Sequence, residues 1–326
     1  MRDKKTEPIP DDLLIKRWNL IFLKVKEAVS LSGDQHPAAR IWTHGDLVTL
    51  ITRIRRDHRD ELKTNFPPAI RVIDRLLEIG WLQRIPVDSP ARSSLLLYLV
   101  DMEAVEGEQP DVYEVLQGTE PRGFICHFGA IAFHGLTTQV PSYYHIAVMN
   151  QPQENRSAFL ADDLKPEHDH KAPRSLGTLL FEYQGIPCFS TRRDPALVPG
   201  IQQRILGPRT RLRITTVEQT MLDALMHPSR CGGEAVVFET WERGMDRWDP
   251  SRMEKHLAAM KREDLERRVG AMLDLMDITE APAPLAARLT ARKKACQTSP
   301  DTRVVSLLQG VPYTHVCAGW QVAVPS

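Results

Sequence analysis

Apolar residues in the first hundred positions recur at helical steps, interrupted by short strand-like runs. After Pro10, the acidic pair Asp11 and Asp12 suits a helix start, and Leu14, Trp18, Ile21, Phe22, Val25 and Val29 follow at three- and four-residue steps until Ser32-Gly33 stops them. The run ARIW at 39–42 reads as a short strand. Thr43, with Asp46 three residues on, forms a capping-box variant that opens a second helix with Leu47, Leu50, Ile51 and Ile54 facing inward. Pro67 and Pro68 fit the first turn of a third helix, which predicts Ile70, Ile73, Leu76 and Leu77 as its buried stripe and Gly80 as its C-cap. WLQRIPV at 81–87 and SLLLYLV at 94–100, joined by the polar turn DSPARS, read as a hairpin.

Helix, strand, helix, helix, hairpin is the order of a winged helix-turn-helix, in which the third helix enters the DNA major groove and the hairpin touches backbone or minor groove. The outward face of the second helix carries Arg53, Arg55, Arg56, His58 and Arg59. Asn65, Arg71 and Arg75 supply amide and basic groups to the third helix, and Arg84 and Arg92 to the wing. The expected DNA-binding set is therefore Arg53, Arg55, Arg56, Asn65, Arg71, Arg75, Arg84 and Arg92. About five arginine–phosphate contacts give a log-log salt slope of roughly 4 to 5 in magnitude. Residues 1–100 carry 17 basic and 13 acidic side chains, and Asp74 and Glu78 stand beside Arg71 and Arg75. The expectation rests on element order more than on charge.

An acidic stretch with prolines and glycines, residues 104–121, reads as a connector, with room for a short helix, between a domain at 1–103 and one at 122–326. In RGFICHFGAIAFHGLTTQVP, residues 122–141, Phe124, Ile125, Phe128, Ile131, Ala132 and Leu136 follow helical spacing up to Gly135. His127 and His134 are seven apart, whereas metal ligands on one helix are normally three or four apart, so the segment reads as a core helix. Tyr144, Ile146 and Val148 then alternate like a strand. Further on, Thr216 and Gln219 form a capping box before Val217, Met221, Leu222 and Leu225, and Glu218 and Asp223 are five apart, on different helix faces and poorly placed for shared acid–base work. The run EHDH, with His168 and His170, reads as a solvated loop. VVFETWERG holds Glu239 and Glu242 but no lysine at restriction-nuclease spacing. Arg262, Arg267, Arg268, Lys255 and Lys261, interleaved with Glu254, Glu263, Asp264 and Glu266, read as a salt-bridged surface facing solvent. No phosphate-loop glycine motif and no nucleophile elbow of the G-x-S-x-G type occurs.

Length and composition then narrow the class. A chain of 326 residues, 42% hydrophobic, has material for two ordinary cores, and an α/β (α+β) chain follows, a winged helix-turn-helix ahead of a mixed α/β domain. Lys plus Arg and Asp plus Glu are both 42, so any attraction to a polyanion is local. Five scattered cysteines, Cys126, Cys188, Cys231, Cys296 and Cys317, suit a reducing cytoplasm. The start, MRDKKTEPIPDD, has no apolar signal region, and no apolar run reaches membrane-spanning length. No metal and no cofactor is expected.

Three segments resemble the AbiEi-type antitoxins, the regulatory half of AbiE toxin–antitoxin systems of bacterial viral-defence loci. FICHFGAIAFHGLTTQVP and the strand after it are similar to the start of that family's second domain. LRITTVEQTMLDALMHPSRCGG at 212–233 resembles its strand, helix and glycine-pair segment, and DPSRMEKHLAAMKREDLERRVGAMLDLM at 249–276 its helix pair. The family commonly has arginine where this chain has Gln219, and residues 280–326 have no counterpart in it. The resemblance implies a repressor that binds operator inverted repeats in double-stranded DNA through its winged helix. It also implies that the second domain counteracts a nucleotidyltransferase toxin, without enzymatic activity of its own and in many systems without a stable complex. Two alternatives differ in class: a subunit of a defence complex whose winged helix docks on protein, and a metal-dependent nuclease.

Overall fold

The computed structural model describes residues 11–31, 40–58, 67–89, 95–100, 109–150, 176–207, 210–278, 281–298 and 303–325, with backbone alone for 11–17. The chain divides into two compact units. One comprises Met1–Val87, Ser94–Pro121 and Ile205–Arg211, the other Asp88–Ser93, Arg122–Arg204 and Leu212–Ser326.

The first unit runs α1 (Asp11–Leu31), β1 (Ile41–Thr43), α2 (His44–Asp57), α3 (Ala69–Glu78), β2 (Leu82–Ile85), β3 (Leu97–Val100) and α4 (Val112–Thr119). The strands form one antiparallel sheet in the order β1-β3-β2. Ile21, Val25 and Val29 of α1 meet Leu47, Leu50, Ile51 and Ile54 of α2 and Val72, Ile73 and Leu76 of α3 over Trp42, Leu82, Tyr98 and Val100. Each fully buried aliphatic side chain contributes roughly 1.5–3 kcal/mol of transfer free energy. Thr43 starts α2 as expected: its hydroxyl oxygen accepts from Asp46 N at 3.1 Å and donates to the Asp46 carboxylate at 2.6 Å. The stripe of α3 differs from the expected one. Ile70 is 59% exposed and Val72 takes its place inside: the inward side is centred on Val72, Ile73 and Leu76, with Ala69 and Leu77 packed at its margins.

Within the segment expected as connector, residues 112–119 form α4. Asp111 caps it, accepting from Tyr113 N at 2.8 Å. Val115 and Leu116 are buried, and a Cβ added at Gly118 would lie 2.4 Å from the Ile41 side chain, so glycine there lets α4 press against β1. Buried Glu114 accepts from Thr210 Oγ1 at 2.6 Å and lies 3.9 Å from Arg40.

The second unit is built on a six-stranded mixed sheet, β4 (Phe124–Cys126), β5 (Tyr144–Met149), β6 (Thr178–Tyr183), β7 (Ile186–Arg193), β8 (Ile201–Gly207) and β9 (Thr210–Thr215), in the order β6-β7-β5-β4-β9-β8. Residues 205–207 of β8 and 210–211 of β9 group with the first unit. β5 runs parallel to β7 and β4 parallel to β9, while the β4–β5 and β6–β7 pairs are antiparallel. Helices α5 (His127–Phe133), α6 (Val217–Met226), α7 (Glu234–Gly244), α8 (Pro250–Met260), α9 (Glu263–Leu275) and α10 (Leu285–Thr298) follow, with a small sheet of β10 (Val305–Ser306), β11 (His315–Cys317) and β12 (Val322–Val324). Thr216 caps α6 through Gln219 N at 3.2 Å, and residues 218–226 are all buried, so α6 is the central helix of this core. The fold is thus α/β in the α+β sense, mixing helices with three sheets.

The sequence expectation of one helix through 124–136 is corrected. Phe124, Ile125 and Cys126 are a wholly buried strand, and the helix starts only at His127, whose φ of 55° makes the sharp strand-to-helix turn. A strand enclosed on both faces has no polar alternation to distinguish it from the first turn of a helix. The surface expected at Arg267, Arg268 and Glu266 is corrected as well: all three are buried. Later residues cover Arg267 and Glu266, while Arg268 turns to Leu225 O at 3.3 Å. Arg267 donates to the carbonyls of Trp320 and Arg303, each at 2.8 Å, and of Gln321, and Glu266 pairs with Arg288 at 3.0 Å and Arg292 at 2.6 Å.

Candidate nucleic-acid interface

Four of the eight sequence-derived DNA-binding residues stand exposed without an ion pair among the described residues: Arg53 and Arg55 on α2, Arg71 on α3 and Arg84 on β2. Arg56 is exposed and bonds Asp57 at 3.0 Å. Arg75 is exposed and engaged by Glu78 at 2.7 Å, one helical turn on. Asn65, Arg92 and Arg59 lie outside the described residues. The outward side of α2 is therefore the more basic surface, with Thr49, Thr52, Arg53, Arg55 and Arg56 against Asp57 alone, whereas α3 presents Ile70, Arg71, Asp74, Arg75 and Glu78, equal in positive and negative charge. His44, at the start of α2, holds its ring nitrogen 3.1 Å from the Tyr98 hydroxyl, which anchors that end of α2 on β3.

The second unit holds several ionisable groups inside. Arg193, at the end of β7, donates to both carboxylate oxygens of Asp223 on α6, at 3.1 and 2.8 Å, and Gln219 donates to Asp223 at 2.9 Å and to Leu197 O at 3.2 Å. Glu218 faces elsewhere, accepting from Asp249 N at 2.8 Å and pairing with Arg252 at 3.4 Å. The two carboxylates of α6 therefore serve separate partners, as their spacing implied. Sequence patterning did not single out Arg193; its one signal is an arginine at the inward end of an otherwise ordinary strand run.

His127 and His134 are separated in role. The His134 ring bonds Thr215 O at 2.7 Å. His127 is fully buried, with its ring centroid 5.1 Å from that of His145 and 5.3 Å from that of His227, and Cys231 Sγ 3.9 Å from its Nδ1. Burial first, then the positive charge of Arg193, holds the His127 pKa well below its ordinary 6.5, so the ring is neutral. Burial likewise pushes the thiols of Cys126 and Cys188 up to about 12, keeping them protonated and unreactive. Among the described residues no group of three or more His, Cys, Asp or Glu is placed to hold a metal ion. Glu239 lies on helix α7 and accepts from Thr137 Oγ1 at 2.5 Å and Thr138 N at 2.7 Å. The Thr137 hydroxyl, ahead of the opposing cost of burial, lowers its pKa. His168 and His170 lie outside the described residues. No described helix is long and apolar enough to cross a membrane.

No family model matches the chain, and no curated protein matches it. Among solved structures, the crystal structure of RV2827C protein from Mycobacterium tuberculosis is similar, with a TM-score of 0.49 and 14% identity over 98% of this chain and 93% of that one.

Proposed function

We propose that the chain is a DNA-binding transcriptional repressor and antitoxin of an AbiE-type operon, acting in the cytoplasm and without enzymatic activity of its own. One observation carries the DNA half: Arg53, Arg55 and Arg56 on the outward side of α2, with Arg71 on α3 and Arg84 on β2, are exposed cations of a unit with winged-helix element order. The ligand is double-stranded DNA carrying inverted repeats, met first through its phosphates. The test is fluorescence anisotropy with the upstream DNA of the chain's own gene across a salt series. A steep loss of affinity with salt supports the reading, and a flat response removes it.

The antitoxin half rests on the resemblance of residues 122–141, 212–233 and 249–276, and its partner is a nucleotidyltransferase toxin counteracted without a stable complex. Coexpression with a nucleotidyltransferase toxin of the AbiE type tests this: restored growth is expected, and undiminished toxicity overturns it. A second reading, docking of the winged unit on protein, is favoured by Ile70, 59% exposed on α3 beside the Arg75–Glu78 pair. The same salt series separates the two.

A further inference from the structure

A cavity of about 260 Å³ lies in the second unit between α9, α10 and Trp320. About half of its wall is apolar, formed by Leu273, Ile278, Ala286 and Leu289 among others, and one side is the Trp320 indole. Gly270 makes that side: a Cβ there would lie 2.3 Å from the indole, so only glycine lets Trp320 lie flat against α9. Asp274 and Lys293, also among the lining residues, add opposite charges 2.8 Å apart, and both are partly open to solvent, at 35% and 38%. The two partners are held differently. Asp274 is fixed, because Trp320 Nε1 donates to it at 2.8 Å. Lys293 reaches it on a flexible stem, with its ammonium 5.0 Å from the centre of the indole.

We propose that this cavity binds a small apolar α-amino acid as a zwitterion. A pocket with an apolar half along Leu273, Ile278, Ala286 and Leu289 and a polar half holding one fixed anion beside one movable cation matches a ligand whose ammonium and carboxylate sit on the same carbon, one bond from an aliphatic or aromatic side chain. The ammonium takes the place of Lys293 at Asp274, the lysine swings to the ligand carboxylate, and the side chain fills the space along Leu273 and Leu289. Two considerations favour a ligand over a merely structural ion pair. A half-exposed Lys–Asp pair adds little to stability, with a typical worth of about 0–1 kcal/mol. The volume also falls just short of the roughly 300–1,000 Å³ of sites for drug-sized molecules, which suits a ligand the size of leucine or phenylalanine.

The full-length protein is titrated with L-leucine and L-phenylalanine by calorimetry, with Trp320 fluorescence as a second readout. The controls are 4-methylpentanoate, which lacks the ammonium, and isoamylamine, which lacks the carboxylate. At least one amino acid is expected to bind with a Kd on the order of 0.1–1 mM, with each singly charged analogue of leucine weaker by about tenfold or more wherever leucine is the binder. Asp274→Asn retains an acceptor for the indole and is expected to lose the amino acid by a similar factor. Lys293→Met keeps the stem over the ring, tests the second charge from a helix surface, and stands alone if the aspartate variant misfolds. Absence of binding by either amino acid up to about ten times that Kd, equal binding of the analogues, or unchanged binding by Lys293→Met overturns the proposal.

Discussion

Arg193 and Asp223 face each other through two hydrogen bonds, 3.1 and 2.8 Å, with neither side chain exposed to solvent. The pair ties the end of β7 to the middle of α6, and Gln219 fills a further acceptor position on the same carboxylate. A buried pair of this kind stabilises little against an apolar replacement, yet removing one partner strands a charge in a medium that cannot solvate it. Asp223→Ala is therefore expected to destabilise the chain by about 3–5 kcal/mol. The double change Arg193→Met with Asp223→Leu is expected to cost clearly less. Urea unfolding of the three proteins measures the difference, and equal losses in single and double variants contradict the account.

Acid is expected to weaken the second unit. The pKa values of His127, His134 and His256 are each lowered from 6.5, with burial the main cause in all three. Above pH 6.5 these rings are neutral in both folded and unfolded chains and leave stability unchanged. As the pH drops below 6.5 the unfolded chain binds protons that the folded chain refuses, so stability is lost, and the loss continues until the folded-state pKa values are reached. His127 alone contributes a slope of up to about 1.4 kcal/mol per pH unit in that window. Urea midpoints are expected to be level from pH 8 to 7 and to fall from 6.5 towards 5, with part of the fall absent in His127→Phe.

Gly270→Ala sets two effects against each other. On helix propensity alone, alanine inside α9 would stabilise by about 1 kcal/mol. The new methyl, however, meets the buried Trp320 ring at 2.3 Å, and an indole held against Asp274 has no flexible end to yield. Overpacking of this kind costs about 1–3 kcal/mol, so net destabilisation with a shifted tryptophan emission is expected. A variant more stable than the parent would mean that the indole is loosely held.

On α3, Glu78 holds Arg75 and, in the proposed complex, competes with DNA for it. Glu78→Ala removes the competitor and an acidic charge, so tighter DNA binding and a salt slope steeper by about one are expected. Replacing Arg53, Arg55 and Arg56 together by alanine is expected to flatten the slope by up to about three. Anisotropy titrations at several salt concentrations read both, and an unchanged slope in the triple variant means that α2 does not touch phosphate.

Much of the first unit was legible because its cues are local. The Thr43 cap, the α1 and α2 stripes and the start of α3 depend on residues within a few positions of one another, and the structure places them as the pattern implied. The departures arise where distant chain decides. Nothing near Phe124 tells that β5 and β9 enclose it on both sides, and nothing near Arg267 tells that residues some 35 to 54 positions later supply its acceptors. The composition around α4 leaves room for a short helix in a connector but hides its place in the core, where Gly118 admits Ile41. Arg193 and the Trp320 cavity are assembled by tertiary packing and left no periodic trace.

Thr210, far along the chain, supplies the hydroxyl that satisfies the buried Glu114 carboxylate. Any attempt to express the N-terminal half by stopping at residue 121 amputates that hydroxyl from an enclosed glutamate. Dissection of this protein must follow its interleaved path, carrying residues 205–211 along or leaving the polypeptide whole.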